Sequence, residues 1–184
     1  MDEILGVIVS GYGATHSSNL LARFANLGIS FCICGTNYLP ASMMFAVDGN
    51  HLQSRRMQSQ AGLRQPVKKR LWADIVRSKI RYQGVVLNQM GTRDNRLKEL
   101  SKKVRSGDFD NVEAQAARYY WRKLFGDEFR RRPNEPGING LLNYGYTILR
   151  SCMARAIVGA GLHPTLGLKH SNQYNPMCLV DDLM

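Results

Sequence analysis

Apolar positions follow two different periods along this chain, and the change from one to the other divides it. Ile4 to Val9 is a short apolar run of strand type, and Ile29 to Ile33 is a second one. Between them Ser17 to Asn26 reads as a short helix opened by a serine cap. Beyond Gly49 the strand signals fade. From Pro66 onward Val67, Leu71 and Ile75 keep a helical spacing, with basic residues over much of the remaining surface. Arg93 to Arg105 reads as a second, very polar helix ending at Ser106-Gly107, and Asn111 to Phe125 as a third. The segment GDEFRRRPNEPG, Gly126 to Gly137, is a loop in which Pro133 and Pro136 break any helix. Ile138 to Ala160 then carries Ile138, Leu141, Leu142, Gly145, Leu149, Cys152 and Ala156 on one stripe, and its small residues predict close packing against neighbours in a helical core. Gly159 and Gly161 supply the stop signal. The boundary between the mixed portion and the helical portion falls between Asp48 and Pro66.

Composition narrows the class. A chain of 184 residues with 44% hydrophobic content has room for one ordinary domain, or a small one plus a larger one, and does not read as disordered. Asp2 and Glu3 replace the positive region of a signal peptide, and no apolar run approaches the roughly 20 residues of a membrane span. Cys32, Cys34, Cys152 and Cys178 lack a zinc-ligand spacing, and Cys32 and Cys34 share one face of a strand; reduced thiols and a cytoplasmic location are expected, with no membrane partner.

The net charge of +11 is uneven. Residues 53–107 hold fifteen Lys and Arg against three acidic groups, whereas 1–52 hold one against three and 108–184 nine against eight. A basic block of that size along one surface attracts a polyanion and releases its counterions; a solvated face that keeps the protein soluble is the alternative. Gly11-Tyr-Gly13 lacks the later Gly and the Lys-Ser/Thr pair of a phosphate loop and reads as a turn.

Three side chains carry candidate chemistry. Glu113 falls on the apolar face of the third helix with Ala116, Ala117, Tyr120 and Leu124. A carboxylate there must be protonated, paired or bound to a cation, unless it completes a capping box with Asp110 as the helix cap. His170 precedes Asn175-Pro176, a helix-start signal, and Asp182 leans toward the apolar side of the helix that follows. Asp181 turns away, toward solvent or a nearby Arg; a solvated helix end is the plain reading of the aspartate pair. If the tertiary fold gathers Glu113, His170 and Asp182, two carboxylates and an imidazole suit Mg2+ or Mn2+ at a phosphodiester.

The stretches EAQAARYYW from Glu113, INGLLNYGYTILRSCMARAIVGAGLHPTLGLKH from Ile138 to His170, and NQYNPMCLVDDLM at the end resemble the CRISPR-associated integrase of spacer acquisition, the Cas1 endonuclease family, in its type II form. The first forty residues resemble the family's N-terminal domain more loosely. The resemblance implies an α+β fold, with a small, incomplete β-rich N-terminal domain at 1–50 and an incomplete α-helical catalytic domain at 51–184. It implies a metal-dependent DNA endonuclease and integrase that inserts short foreign DNA into a CRISPR array. Glu113, His170 and Asp182 are then both the catalytic residues and the ligands of Mg2+ or Mn2+. Lys169 and the run Arg130, Arg131 and Arg132 become candidates for DNA backbone contacts. The partners implied are double-stranded DNA with single-stranded or branched ends, a second copy in a homodimer, and the second adaptation protein, Cas2. The type II pattern continues past Met184 with a further glutamate, and the family has strands before the counterpart of Met1, so truncation at both ends is expected. A catalytically impaired remnant that only binds DNA and dimerises is the alternative.

Overall fold

A computed structural model describes residues 3–11, 13–36, 40–47, 49–93 and 95–184. The elements run β1 (Gly6–Val9), α1 (Ser18–Asn26), β2 (Ser30–Cys34), β3 (Pro40–Met44), α2 (Gln53–Ala61), α3 (Gln65–Gln89), α4 (Arg96–Lys103), α5 (Val112–Phe125), α6 (Ile138–Gly159) and α7 (Cys178–Leu183). The fold class is α+β, a small N-terminal sheet followed by helices. The chain forms two compact units, one of residues 1–62, 133–167 and 171–184, the other of 63–132 and 168–170. No helix among the described residues is long and apolar enough to cross a membrane.

In the first unit the sheet has the order β1-β2-β3. β1 and β2 pair in parallel, Gly6 opposite Ser30 through Val9 opposite Ile33. Parallel strands need a crossover, and α1 is that crossover. Its cap is the expected one: Ser17 Oγ accepts a hydrogen bond from Leu20 N at 3.2 Å. Phe24 of α1 is buried with Ile29 and Phe31 beneath the sheet. β3 is antiparallel to β2. Its sequence, Pro-Ala-Ser-Met-Met, has no alternation to announce a strand, and Pro40 sits at its first position, where a missing N–H costs the ladder least.

α2 also lies where the strand signal had faded and no element was expected. Its polar sequence hides it, and its contribution is made by one buried side chain. Gln60 Nε2 donates to His163 O at 2.9 Å and Leu166 O at 2.8 Å, while Gln60 Oε1 accepts from His163 N at 2.8 Å. With every polar atom partnered, burial of this glutamine costs little and fixes the 163–166 turn.

α6 corrects an expectation. The stripe of Ile138, Leu141 and Leu149 is not core: these are 45%, 75% and 56% exposed. The buried face is Asn139, Thr147, Ser151, Ala154 and Ile157. Thr147, Ser151 and Ala154 among them are small, which lets a helix approach its neighbours closely. The hydroxyls do not waste hydrogen bonds, because Thr147 Oγ1 donates to Asn143 O at 3.0 Å and Ser151 Oγ to Thr147 O at 2.9 Å. The helix ends as the glycines foretold. Leu162 N bonds Ile157 O at 3.0 Å around Gly161, whose φ of 72° suits glycine, and a Cβ there would meet Asn50 Cβ at 3.1 Å.

The second unit is three helices around one core. Trp72, Ala73, Val76, Ile80 and Leu87 of α3, Leu97 of α4, Val104, and Val112 and Ala116 of α5 are buried together. α4 packs over Gly84, where a Cβ would make ordinary contact with Leu97 Cβ at 3.6 Å. The start of α5 differs from the capping box considered for it. Asp108, buried and at φ 49°, accepts from Val112 N at 2.9 Å and Glu113 N at 3.1 Å. Asp110 instead forms a bidentate pair with Arg105, at 2.7 and 2.9 Å from Nη2. The reason is the turn: left-handed backbone at Asp108 and Asn111 folds the chain back so that the earlier aspartate faces the helix amides. Glu113 is thereby released from a capping role.

Candidate functional site

Glu113 is the second residue of α5, beside buried Val112 and one turn before buried Ala116. That register holds its carboxylate at the edge of the core, with about a third of the side chain exposed (32%). The structure supplies a cation: Lys79 Nζ of α3 lies 2.9 Å from Glu113 Oε1. Lys79 is itself only 14% exposed and its ammonium lies 5.1 Å from the ring centre of Trp72. Trp72 and Lys79 are seven residues apart on α3, two turns along one face, which is why both reach the same place.

His170 borders the same tryptophan. Its ring meets Trp72 edge-to-face, with centroids 6.1 Å apart and planes at 88°. The second unit therefore gathers Glu113 and His170 around Trp72, Glu113 through Lys79 and His170 directly. Trp72 and Lys79 as the links between them were not anticipated; the seven-residue spacing of a tryptophan and a lysine on one helical face was the available signal.

Asp182 belongs to the first unit. It is fully buried, on an α7 whose Cys178, Leu179 and Val180 are buried too, as its lean toward the apolar side implied. Two bonds tie α7 and the segment leading into it to the turn held by Gln60: Leu179 N to Pro164 O at 2.7 Å and Thr165 Oγ1 to Pro176 O at 2.8 Å. Asn175 turns the chain into the helix, its Oδ1 accepting from Met177 N at 2.9 Å, and the helix begins three residues after it. Asp181 takes the arginine it was offered. Arg150 Nη2 is 2.9 and 3.1 Å from its two oxygens, and Asn175 Nδ2 donates to Oδ2 at 2.8 Å. The Cys178 thiol lies under both carboxylates: burial pushes its pKa up, and the charges of Asp182 and then Asp181 push it the same way.

This arrangement makes Arg150 a positioning residue for α7. Arg150→Met is expected to leave Asp181 with Asn175 alone, destabilise the first unit by about 1–2 kcal/mol, and open Cys178 to alkylation. In the parent chain iodoacetamide should label exposed Cys152 well before buried Cys178. Mass spectrometry of the labelled peptides reads both outcomes; equal Cys178 labelling in the two proteins would refute the role.

Of the backbone-contact candidates, Lys169 is exposed, as are Arg130 and Arg132. Arg130 folds onto its own loop, Nη1 donating to Asp127 O at 2.6 Å and Phe129 O at 2.9 Å. Among the described residues no group of three or more His, Cys, Asp or Glu side chains is arranged to hold a metal ion. A carboxylate oxygen and an imidazole share one neighbourhood in the second unit, and Lys79 already satisfies that carboxylate with positive charge.

The family model described as CRISPR associated protein Cas1 matches residues 1–184. The chain is 36% identical over 186 residues to the CRISPR-associated endonuclease Cas1 of Neisseria meningitidis serogroup C (strain 8013), covering 100% of this chain and 61% of that protein. It spans between 61% and 64% of the length of the first curated relatives it matches. A casposase bound to its integration product superposes with a TM-score of 0.77 at 19% identity, over 98% of this chain and 56% of that one. A Cas6-RT-Cas1–Cas2 complex gives 0.67 at 22% identity, over 96% and 22%. At these identities the two structures establish a shared fold.

Proposed function

Because the chain belongs to the Cas1 family of CRISPR-associated proteins, we propose that it acts in spacer acquisition as a divalent-metal-dependent DNA endonuclease and integrase subunit. The function is assigned to residues 51–184, which carry every candidate residue. Glu113, His170 and Asp182 are the ligands of Mg2+ or Mn2+ in this reading. Such an ion, when bound, supplies Lewis-acid stabilisation of charge on a phosphodiester oxygen.

The observation that carries the reading is the cluster of Lys79, Glu113, Trp72 and His170 in one unit. Its residues divide the work. Lys79 pairs with the Glu113 carboxylate and holds it in place, and Trp72 meets the His170 ring edge-to-face and orients it. Lys169 beside it, with Arg130, Arg131 and Arg132, neutralises strand phosphates and sets the register of the DNA without reading its sequence. The partners proposed are DNA with single-stranded or branched ends, a second copy of the chain in a homodimer, and Cas2; the matched complex that contains both Cas1 and Cas2 supports the last.

A second reading, a module that binds DNA and dimerises without catalysis, is favoured by the Lys79–Glu113 ion pair, since a bound metal competes with that lysine for the carboxylate. Cleavage of branched DNA with Mn2+ separates the two. The enzyme reading expects cutting by the parent chain, and at least about 100-fold slower cutting by His170→Ala with DNA binding retained. A parent chain that binds DNA but leaves it intact at every Mn2+ concentration establishes the module instead.

A further inference from the structure

In the first unit, α2 and the end of α6 border a cleft of about 390 Å³ that the candidate site does not use. Phe45, Gln53, Met57, Val158, Pro164 and Met177 are among its walls. Gln53, Met57 and Gln60 follow one another on α2 at four and three residues, so one face of that helix supplies both the cleft and its anchorage. The walls are tied down on several sides. Gln60 holds the 163–166 turn, Asn50 Nδ2 donates to Gly159 O at 2.9 Å, Arg56 Nη1 to Ala160 O at 2.7 Å, and Thr165 Oγ1 to Pro176 O at 2.8 Å. A cleft with fixed walls is already organised, and filling it costs little further ordering. Gln53 adds the polar feature. Its Nε2 donates to Val47 O at 2.9 Å, whereas its Oε1 is buried and accepts no hydrogen bond among the described residues. A buried acceptor without a donor is unfavourable, and a donor brought into the cleft recovers that loss.

We propose that this cleft binds an uncharged aromatic small molecule carrying one N–H or O–H donor. The lining selects the ligand class. Among the described residues, no lysine, arginine or carboxylate lines it, so it offers nothing to a phosphate and suits a neutral ligand. Met57, Met177 and Phe45 favour an aromatic body, because thioethers and rings pack well against ring edges and faces. Gln53 Oε1 sets the polar requirement, a single donor on an otherwise apolar frame. The volume lies toward the lower end of small-molecule sites and accommodates a compact fused-ring ligand. None of Glu113, His170 and Asp182 lines the cleft, so the site stands whether or not the chain cuts DNA.

The test is titration of the 184-residue chain, followed by ligand-observed NMR, with three probes of nearly one shape. Indole carries the donor; benzothiophene and 1-methylindole lack it. Indole is expected to bind with a Kd below about 1 mM, and at least about tenfold more tightly than either analogue, since a site with a buried acceptor rejects a ligand that leaves it unpaired. Gln53→Met keeps the length of the side chain and removes the acceptor. It should abolish the preference, so that indole and benzothiophene bind alike. Met57→Trp, which fills the cleft from α2, should weaken all three probes at least about tenfold. Absence of indole binding at about 1 mM overturns the proposal, and so does equal affinity for the three probes in the parent chain. A preference for indole that survives Gln53→Met overturns it as well. Because Gln53→Met is read as a ratio of two affinities within one folded protein, the result does not depend on whether Met57→Trp folds.

Discussion

Glu113→Gln is expected to remove metal-dependent cleavage and strand joining, by at least about 100-fold, while leaving the protein folded. The substitution keeps the shape of the side chain and a carbonyl oxygen able to accept from Lys79, but takes away the negative charge. Its cost to stability is small. The ion pair is partly exposed, and pairs of that kind contribute about 0–1 kcal/mol; the favourable charge at the start of α5 is worth about 0.3–1 kcal/mol more. Metal affinity loses far more, because a neutral amide is a weak donor to Mg2+ or Mn2+. The partner variant Lys79→Met makes the experiment decisive. If Glu113 serves only to satisfy Lys79, the two variants lower the unfolding midpoint alike and neither touches cleavage. If Glu113 is a ligand, Glu113→Gln removes cleavage and Mn2+ binding together at nearly unchanged stability. Cleavage of branched DNA by the glutamine variant at the parent rate would end the metal reading.

Trp72→Ala carries the largest expected effect on stability, about 3–5 kcal/mol, with a fall in the thermal midpoint of roughly 10 °C. Trp72 is 3% exposed at the head of the core that joins α3, α4 and α5. Its removal opens a cavity there and strips the packing from His170 and the aromatic face from Lys79. Trp72→Phe should recover most of the stability and return an aromatic edge to His170. Guanidinium unfolding of the three proteins measures this. A loss below about 1 kcal/mol in the alanine variant would mean that Trp72 does not organise the second unit. The same residue thus links the energetics of the core to the geometry of the candidate site.

Elements whose residues repeat a local period were legible in the chain. The apolar runs of β1 and β2, the serine-capped α1 between them, Pro66 near the head of α3, and the glycines that close α6 all appear where their patterns put them, because each depends on neighbours a few residues away. β3 and α2 were not legible. Neither has an apolar period; β3 exists because β2 offers an edge, and α2 because the 163–166 turn, a hundred residues later, accepts Gln60. The stripe on α6 was read in reverse for a related reason. Hydrophobicity marked Leu141 and Leu149, whereas the close packing expected of the helix's small residues is made by Thr147, Ser151 and Ala154, a face that a hydrophobic period does not pick out.

The chain alone determined which side chains can do chemistry: a glutamate on a helix face, a histidine before a helix start, and an aspartate leaning inward on the last helix, together with the segments that resemble the Cas1 family. It left Asp181 between solvent and a nearby arginine. Which arginine, and how the rest is arranged, only the tertiary structure decided. Arg150 reaches Asp181 across 31 positions, Lys79 reaches Glu113 across 34, and Asp108 displaces Asp110 from the amides of α5. The physical reason is common to all three. A side chain's propensity is set by its own few neighbours, whereas the partner that neutralises a charge or satisfies an amide is whichever group packing brings within about 3 Å, and that distance is a property of the folded whole.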